Sequence, residues 1–417
     1  MTSFTALHRA LGLPPGPLSI EMLDAAVEAG VHEMADLDWK KELIPAKNLT
    51  QSDFPKDVAA MANSGGGLII YGVKETQKAA TSRVDAGTCD ENYERTLRSV
   101  ARSKISPPVL NLDVHRLGSE DEGRAVVVEV PASVDGPHLV YRDQFFGAPI
   151  RNDADTVWMR ERQIEAMYRA RFEERRHASE ALDALYGETT EGRDTKERAW
   201  LFAVAQPRIP RLLHRADREE ARAVLARARR LTLTYASSRD NHPLENVECD
   251  NPRPGLRRWV ATNTATDERS QWKQAWVSVH HDGAVTVATA IGGRPIDAKS
   301  SHEGGEVRGS GVECAVADLM ALVRATAEGS GDREYEVRVG IEWNGDGPLT
   351  LCRTEYGGWL PAPAAYSLSR YVPVSMTVMA TASEEDFHEQ VHELAMDCVN
   401  QGGLFNLELI STPEREQ

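Results

Sequence analysis

Hydrophobic and polar positions follow two different periods in the first half of the chain. Apolar residues recur every three to four positions after Ser19, a residue type that caps helices, and predict a helix over residues 19–30. Residues 37–40 instead alternate apolar and polar side chains, which is the period of a strand. The polar residues 79–89 predict a loop, and residues 92–104 again have helical spacing. The pattern predicts helices and strands mixed within one region.

The stretch over residues 59–75 (AAMANSGGGLIIYGVKE) combines a helix end, three glycines and a short apolar strand. Two interpretations of Gly65, Gly66 and Gly67 are open: an anion cradle made of backbone N–H groups, or a tight turn between helix and strand. Three glycines alone favour the turn. A phosphate-binding P-loop runs from strand to helix and ends in GK[ST], so this stretch gives no support for ATP binding.

The second half of the chain also mixes the two periods. Residues 178–196 are polar and acidic and predict a linker between domains. Beyond them, apolar runs predict strands, among them residues 200–205 and 231–236, and amphipathic patterns predict helices over residues 312–326 and 384–400. No catalytic motif is present there. We expect an α+β protein whose second mixed α/β domain, residues 197–417, serves recognition or dimerisation.

Composition changes this picture little. The 417 residues are 41% hydrophobic and 27% charged, which is ordinary for a globular protein with a full core. The sequence has no apolar run long enough for a membrane span and no secretory signal pattern, so we expect a cytoplasmic protein without membrane contact. The five cysteines are far apart, which argues against cysteine-bound zinc.

Charge limits the possible partners. The net charge of −16 argues against a protein that coats nucleic acid by bulk electrostatics, but it leaves room for a local basic face. The clearest basic segment is 208–230, which could hold a phosphate backbone or could equally be a solvated helix. Its arginines are Arg208, Arg211, Arg215, Arg218, Arg222, Arg227, Arg229 and Arg230.

Carboxylates and a lysine are close together around the strand predicted over residues 37–40. Glu33 lies at the entry of this strand, and Asp38 and Lys40 point to the same side of it. These groups form either a polar cluster beside a sheet or a solvated face on an edge strand. The residues alone favour the solvated face.

Three blocks of the first half resemble the Schlafen core domain, also described in bacteria as an AlbA-like DNA-binding domain. EMADLDWK (residues 33–40) is similar to the family pattern ExxxxEFK, and AMANSGGG with GVKE (residues 60–75) is similar to AFANxxGGxxxxGVDD. His138, Arg151 and Thr156 resemble the end of that domain, where Thr156 is expected to begin a helix. The resemblance covers about residues 20–170, so we assign residues 1–19 to an N-terminal helical segment and residues 20–177 to a Schlafen-like core.

This resemblance implies a divalent-metal-dependent endoribonuclease that cleaves structured RNA, such as tRNA. By position, Glu33, Asp38 and Glu75 are the expected catalytic carboxylates and ligands of Mg²⁺ or Mn²⁺. Lys40 is the expected cation that neutralises the transition state. Two residues depart from the family pattern: Asp38 is shorter than the usual Glu, and Lys74 replaces an acid.

The resemblance and the charge pattern together predict an RNA partner. The candidate nucleic-acid contacts are Lys40, Lys41, Lys74, Arg151, Arg208, Arg211 and Arg215. A single Schlafen lobe is small for a folded RNA, so we expect a homodimer, with a role in stress or phage defence. Two alternatives stay open: a regulatory nucleic-acid-binding protein without catalysis, and a structural or assembly protein.

Overall fold

The computed structural model describes residues 4–120, 123–142, 145–209, 215–268, 270–296, 301–330, 334–355, 358–361 and 367–412. Helices and strands are mixed throughout, which confirms the predicted α+β class. The chain divides into two compact units, Met1–Arg176 and His177–Gln417. No helix among these residues is long and apolar enough to cross a membrane.

Among its described residues, the first unit contains five α-helices, the last of which continues into the second unit, and eleven strands. In chain order they are α1 (Ala6–Leu11), α2 (Ile20–Glu28), β1 (Leu37–Lys40), α3 (Phe54–Ala62), β2 (Gly67–Tyr71), β3 (Val73–Thr76), β4 (Ala79–Arg83), α4 (Glu91–Ser103), β5 (Ile105–Ser106), β6 (Asp113–Leu117), β7 (Ala125–Val130), β8 (Leu139–Arg142), β9 (Phe145–Gly147), β10 (Pro149–Asn152), β11 (Asp155–Trp158) and α5 (Glu161–Thr190).

A four-stranded sheet of order β1-β2-β7-β6 forms the centre of this unit. Strands β1 and β2 run parallel, with Leu37 opposite Leu68 and Lys40 opposite Tyr71. Alternate residues of β2 are buried on opposite faces: Ile69 and Tyr71 pack with residues of α3 and α4, and Leu68 and Ile70 with residues of α1 and α2. Helices therefore cover both faces of the sheet.

The glycines before β2 form a tight turn between closely packed segments. Gly66 has φ +88°, and a Cβ there would lie 2.7 Å from the backbone nitrogen of Ala132. A Cβ on Gly67 would lie 2.5 Å from the Met61 sulfur and 2.8 Å from the Asp36 Cα. Side chains are excluded at both positions by neighbouring protein atoms. The packing explains these glycines without a bound anion.

Two predictions in the first unit were wrong because local turns were missed. Residues 79–89 were expected to be a loop, but Ala79–Arg83 is β4, joined to β3 by a turn in which Gln77 and Lys78 have positive φ. The sequence lacks the Asn-Gly pair that usually marks such a turn. Thr156 was expected to begin a helix, but it lies in β11, which pairs with β10 around a turn where Asp153 has φ +57°.

The described part of the second unit contains three further α-helices and ten strands. They are β12 (Trp200–Pro207), α6 (Arg218–Tyr235), β13 (Arg253–Gly255), β14 (Arg258–Ala261), β15 (Ala275–His280), β16 (Val285–Ala290), β17 (Glu306–Arg308), α7 (Gly309–Ser330), β18 (Glu334–Glu342), β19 (Thr350–Glu355), β20 (Gly358–Pro361), β21 (Val374–Met379) and α8 (Glu384–Asn400).

An antiparallel seven-stranded sheet of order β13-β14-β15-β16-β12-β18-β21 organises this unit. Residues of α6, α7 and α8 share one large apolar core with the sheet. Leu182 and Tyr186, in the last part of α5, pack with residues of β12 and β16 in a separate cluster. The residues predicted as a linker are therefore helical as far as Thr190.

The strand predicted over residues 231–236 was also wrong, because these residues complete α6. Their alternation of leucine and threonine imitates the period of a strand. In the structure Leu231 and Tyr235, four positions apart, are both buried in the core, whereas Leu233 is exposed. Packing of one helical face has overridden the local preference of the threonines.

Candidate nucleic-acid interface

The parallel strands β1 and β2 end side by side, and basic residues follow both ends. The backbone N–H of Gly72, just after β2, donates to the carbonyl of Lys40 at 2.9 Å. Lys41 follows β1 with 62% of its side chain exposed, and Lys74 is exposed in β3. The pairing of β1 with β2 explains why residues more than thirty positions apart lie at one edge of the sheet.

Asp38 is held between two cations just inside this edge. Its side chain is 5% exposed, with Oδ2 2.5 Å from Lys40 Nζ and Oδ1 3.2 Å from an Arg151 guanidinium nitrogen. Arg151 is itself buried and also donates to the carbonyl of Met34 at 3.1 Å. The carboxylate of Asp38 is therefore neutralised within the protein.

Asp57 is a third acid at this site, and the sequence analysis missed it. Its Oδ2 lies 3.5 Å from Lys40 Nζ, and its side chain is buried. Burial raises the pKa of Asp57 to about 6, although Lys40 lowers it. Burial also disfavours the charged form of Lys40, but Asp38 and Asp57 outweigh it and raise the pKa of Lys40.

One signal in the sequence could have revealed Asp57. Phe54, Val58 and Met61 form the buried stripe of α3, and position 57 falls within that stripe. A lone acid in an apolar stripe needs a partner, because burying an unpaired charge is costly. Lys40 is that partner.

Glu33 and Glu75, the other two predicted carboxylates, are bound to backbone groups. Glu33 is half-buried and accepts a hydrogen bond from the Trp39 backbone N–H at 3.0 Å. Burial raises the pKa of Glu33, and the charge of Asp38 adds to this shift. Glu75 is exposed in β3 and accepts from the Lys78 backbone N–H at 2.7 Å.

The described part of the chain contains no group of three or more histidine, cysteine, aspartate or glutamate side chains arranged to hold a metal ion. Glu33, Asp38 and Glu75 are therefore not gathered around one point, and two cations occupy the oxygens of Asp38. The arrangement as it stands does not fit the Mg²⁺ or Mn²⁺ site that was expected from these residues.

Asn63 and Ser64, next to the glycine turn, hold the segment that carries Arg151. The Asn63 amide donates to the carbonyls of His138 and Pro149 at 3.0 and 2.8 Å and accepts from the His138 backbone N–H at 2.7 Å. Ser64 Oγ accepts from the backbone N–H of Arg151 at 2.9 Å. These bonds tie the turn to β10 and so position Arg151 against Asp38.

The arginines of the second unit have different surroundings. Arg208 is 9% exposed and lies 2.8 Å from Glu334 and 3.7 Å from Glu336. On α6, Arg227 pairs with Glu328 at 2.9 Å, and Arg222 lies 3.5 Å from Glu219. Arg215 is exposed, and Arg211 lies outside the described residues. Arg208, Arg222 and Arg227 are thus engaged by nearby acids, whereas Arg218 contacts the amide of Asn251.

The fold and the site define the first unit as an α+β domain with a polar cluster at the carboxyl end of a parallel strand pair. Residues 33–161 match the family model described as Schlafen, AlbA_2. This match confirms the resemblance for that segment of the chain. Similarity to this family suggests nucleic-acid binding by that segment.

Two solved structures are similar to parts of the chain. One is the N-terminal domain of a RecG-related protein from Nitrosomonas europaea, with 19% identity, 35% of this chain and 94% of that chain covered, and a TM-score of 0.26. The other is the DIP2311 protein from Corynebacterium diphtheriae, with 16% identity and a TM-score of 0.25. This match covers 51% of this chain and 34% of that chain. A search of curated proteins finds no match. The family match is therefore the comparison that bears on function.

Proposed function

We propose that the first unit binds nucleic acid at the carboxyl end of β1 and β2. The observation that carries this proposal is the position of Lys41 and Lys74, two exposed ammonium groups brought to one edge by the parallel pairing of the strands. Lys41 Nζ lies 3.8 Å from the exposed carboxylate of its neighbour Glu42, and Lys74 has no carboxylate within 4.0 Å among the described residues. Ammonium groups that are accessible to a phosphate backbone supply the electrostatic part of nucleic-acid binding.

RNA is the proposed partner, and tRNA is the proposed class. The family resemblance supports RNA, and the small number of exposed lysines at this edge is consistent with recognition through shape and backbone. Lys40 and Arg151, which were predicted as direct contacts, are partly or fully buried and engaged with Asp38. We propose that Lys40 and Arg151 stabilise this edge of the sheet and that Lys41 and Lys74 contact the phosphates.

The test is the salt dependence of the affinity for tRNA, measured by fluorescence anisotropy. The double variant Lys41→Ala/Lys74→Ala is expected to bind about tenfold more weakly at low salt and to lower the slope of log K against log salt by about 1 to 2. Arg102→Ala/Lys196→Ala removes the same charge from exposed positions elsewhere and is the matched control. Equal effects in both variants would mean that net charge alone governs binding.

A metal-dependent endoribonuclease of Schlafen type is the second candidate. The observation that favours it is the gathering of Glu33, Asp38 and Asp57 around Lys40, with burial raising the pKa of both Glu33 and Asp57. Perturbed carboxylates of this kind are common at catalytic sites. The carboxylate oxygens of Asp38 are occupied by Lys40 and Arg151 and are not available to a metal ion, so cleavage requires a different arrangement of these side chains.

Cleavage of total tRNA with Mg²⁺ or Mn²⁺ tests this candidate. If the protein is a nuclease, wild type gives discrete fragments, and Glu33→Ala and Glu75→Ala lose them, as does addition of a chelator. Binding without cleavage across metals and RNA classes leaves the protein as a nucleic-acid-binding regulator.

A homodimer is part of the same proposal, because one lobe offers a small basic edge for a folded RNA. Light scattering at micromolar concentration gives the mass. A dimer is expected, and a strict monomer, with and without tRNA, would oppose a two-lobed binding groove. The proposed role in stress or phage defence rests on the family resemblance.

A further inference from the structure

Exposed aromatic side chains are concentrated in the last two hairpins of the first unit. Tyr141, Phe146 and Trp158 are 48%, 61% and 51% exposed. The rings of Tyr141 and Phe146 face each other across β8 and β9 with centroids 5.8 Å apart. Large aromatic rings are normally buried, so three of them at the surface within eighteen residues mark a binding surface.

Trp158 lies on the face of its hairpin that carries Arg151. Arg151 is opposite Thr156 in the register of β10 and β11, and its guanidinium donates to Thr156 Oγ1 at 3.3 Å. Thr156 and Trp158 are two positions apart in one strand, so their side chains leave the same face about 7 Å apart. On this face, the exposed indole of Trp158 is therefore the neighbour of the ion pairs that Arg151 and Lys40 make with Asp38.

Gly147 leaves space for the indole of Trp158. A Cβ on this residue would lie 2.7 Å from Cε3 and 2.8 Å from Cζ3 of Trp158. The ring therefore lies directly on the backbone of β9, and any side chain at position 147 would displace it. One edge of the indole is fixed in this way, while about half of the side chain stays open to solvent.

The charges around Trp158 favour a nucleic acid over an apolar partner. Arg160 is exposed two residues further along the chain, and Arg162 is exposed in the first turn of α5, with the exposed Glu161 between them. The nearby carboxylate of Asp155 is paired with Lys78 at 2.5 Å. An exposed aromatic ring flanked by cations is the combination that binds single strands, because every base has a face that can stack and a phosphate that needs a cation.

We propose that Trp158 stacks on an unpaired base of a single-stranded segment whose backbone lies along the Lys41–Lys74 edge. This inference rests on the nucleic-acid binding proposed above and makes it more specific: the site takes unpaired nucleotides, such as those of an RNA loop or end. Phosphate contacts then supply affinity that depends on salt, and the indole supplies affinity that does not.

The experiment separates these two contributions. The full chain is titrated with a fluorescein-labelled single-stranded RNA of mixed sequence and with the same RNA annealed to its complement, at several salt concentrations. Trp158→Ala is expected to weaken single-strand binding about 5- to 100-fold while leaving the slope of log K against log salt unchanged. Trp158→Phe should restore most of the affinity, since a phenyl ring also stacks.

Phe172→Ala is the matched control, because Phe172 is a 64% exposed aromatic residue in the same unit, on α5. It is expected to bind as wild type does. Circular dichroism spectra and thermal melts of all variants show whether each one is folded. Because Trp158 is half exposed, its replacement is expected to leave the fold intact.

Three results would overturn this inference. One is unchanged affinity in Trp158→Ala when wild type binds RNA, which would leave the nucleic-acid proposal standing and remove only the stacking role. Another is an equal loss in Trp158→Ala and Phe172→Ala. The third is a change of oligomeric mass in Trp158→Ala without loss of RNA affinity, which would assign the indole to contact with a second copy of the chain. Absence of RNA binding by wild type would instead refute the proposed function itself.

Discussion

The two units differ in what their basic residues contact. In the second unit Arg208 is buried against Glu334 and Glu336, and Arg227 of α6 is paired with Glu328. In the first unit Lys41 and Lys74 are exposed at the end of two parallel strands. The segment that is richest in arginine therefore has part of its charge neutralised by acids, whereas a poorer segment presents charge to solvent.

This difference shows that the number of cations in a segment does not measure its capacity to bind phosphate. An arginine that is fixed by a carboxylate holds its own fold together, and a phosphate would have to displace that carboxylate. An exposed lysine gives up only water and counterions. Whether a cation stabilises the fold or binds phosphate depends on whether a carboxylate lies next to it, and only the fold determines that.

The largest expected effect comes from removing the buried cation of the first unit. Arg151→Ala leaves Asp38 buried with only Lys40 as a partner, and we expect the first unit to lose about 3 to 5 kcal/mol of stability. Hydrogen exchange of peptides from α3 and β2 measures this unit by itself. Arg227→Ala, which breaks an exposed ion pair in the second unit, should cost less than about 1 kcal/mol. Similar losses in both variants would remove the distinction between buried and exposed pairs.

The next effect concerns the pH dependence of the first unit. The pKa of Asp57 is about 6 in the folded protein, above its usual value of 3.8. The folded state therefore holds the proton more tightly, and stability from this group falls as the pH rises from about 4 to about 6. The loss amounts to about 2 to 3 kcal/mol.

Asp57→Asn should remove this dependence, because an amide does not titrate. Hydrogen exchange of β2 peptides at pH 4.5 and pH 7, corrected for the intrinsic exchange rate, compares the variant with wild type. The variant is expected to gain stability relative to wild type at the higher pH. A constant difference at the two pH values would show that Asp57 does not titrate in this range.

The smallest expected effect is in α6. The variant Arg218→Ala/Arg222→Ala loses two positive charges from α6, where Arg218 contacts Asn251 and Arg222 lies 3.5 Å from Glu219, and its tRNA affinity should stay within about twofold of wild type. Anisotropy titration at low salt detects a larger change. A tenfold loss of tRNA affinity would show that the basic segment of the second unit is part of the binding surface.

Much of the first unit could be predicted from the sequence, because its signals are local. The strand at residues 37–40 and the helix ending at the glycines follow from periodicity, and Gly66 and Gly67 lie in the tight turn that the sequence favoured over an anion cradle. The hairpins were harder. The turn at Gln77 and Lys78 and the turn at Asp153 use positive φ in residues other than glycine, and no sequence pattern marks them clearly.

The site could be predicted only in part. Position along β1 places Asp38 and Lys40 on one side, and the structure does join them. Nothing in the spacing shows that Arg151 reaches Asp38 from 113 residues away, or that Asp57 of α3 contacts Lys40. These contacts depend on how the hairpin and the helix pack on the sheet. Trp158 was missed for the same reason, because its position depends on Gly147 in a different hairpin.

The most direct test of the central claim is the salt dependence of tRNA binding for two double variants measured side by side. Our account predicts that Lys41→Ala/Lys74→Ala lowers the slope of log K against log salt by about 1 to 2, and that Arg218→Ala/Arg222→Ala leaves it unchanged. The opposite result, with the slope lowered only by the α6 variant, would contradict the assignment of nucleic-acid binding to the first unit.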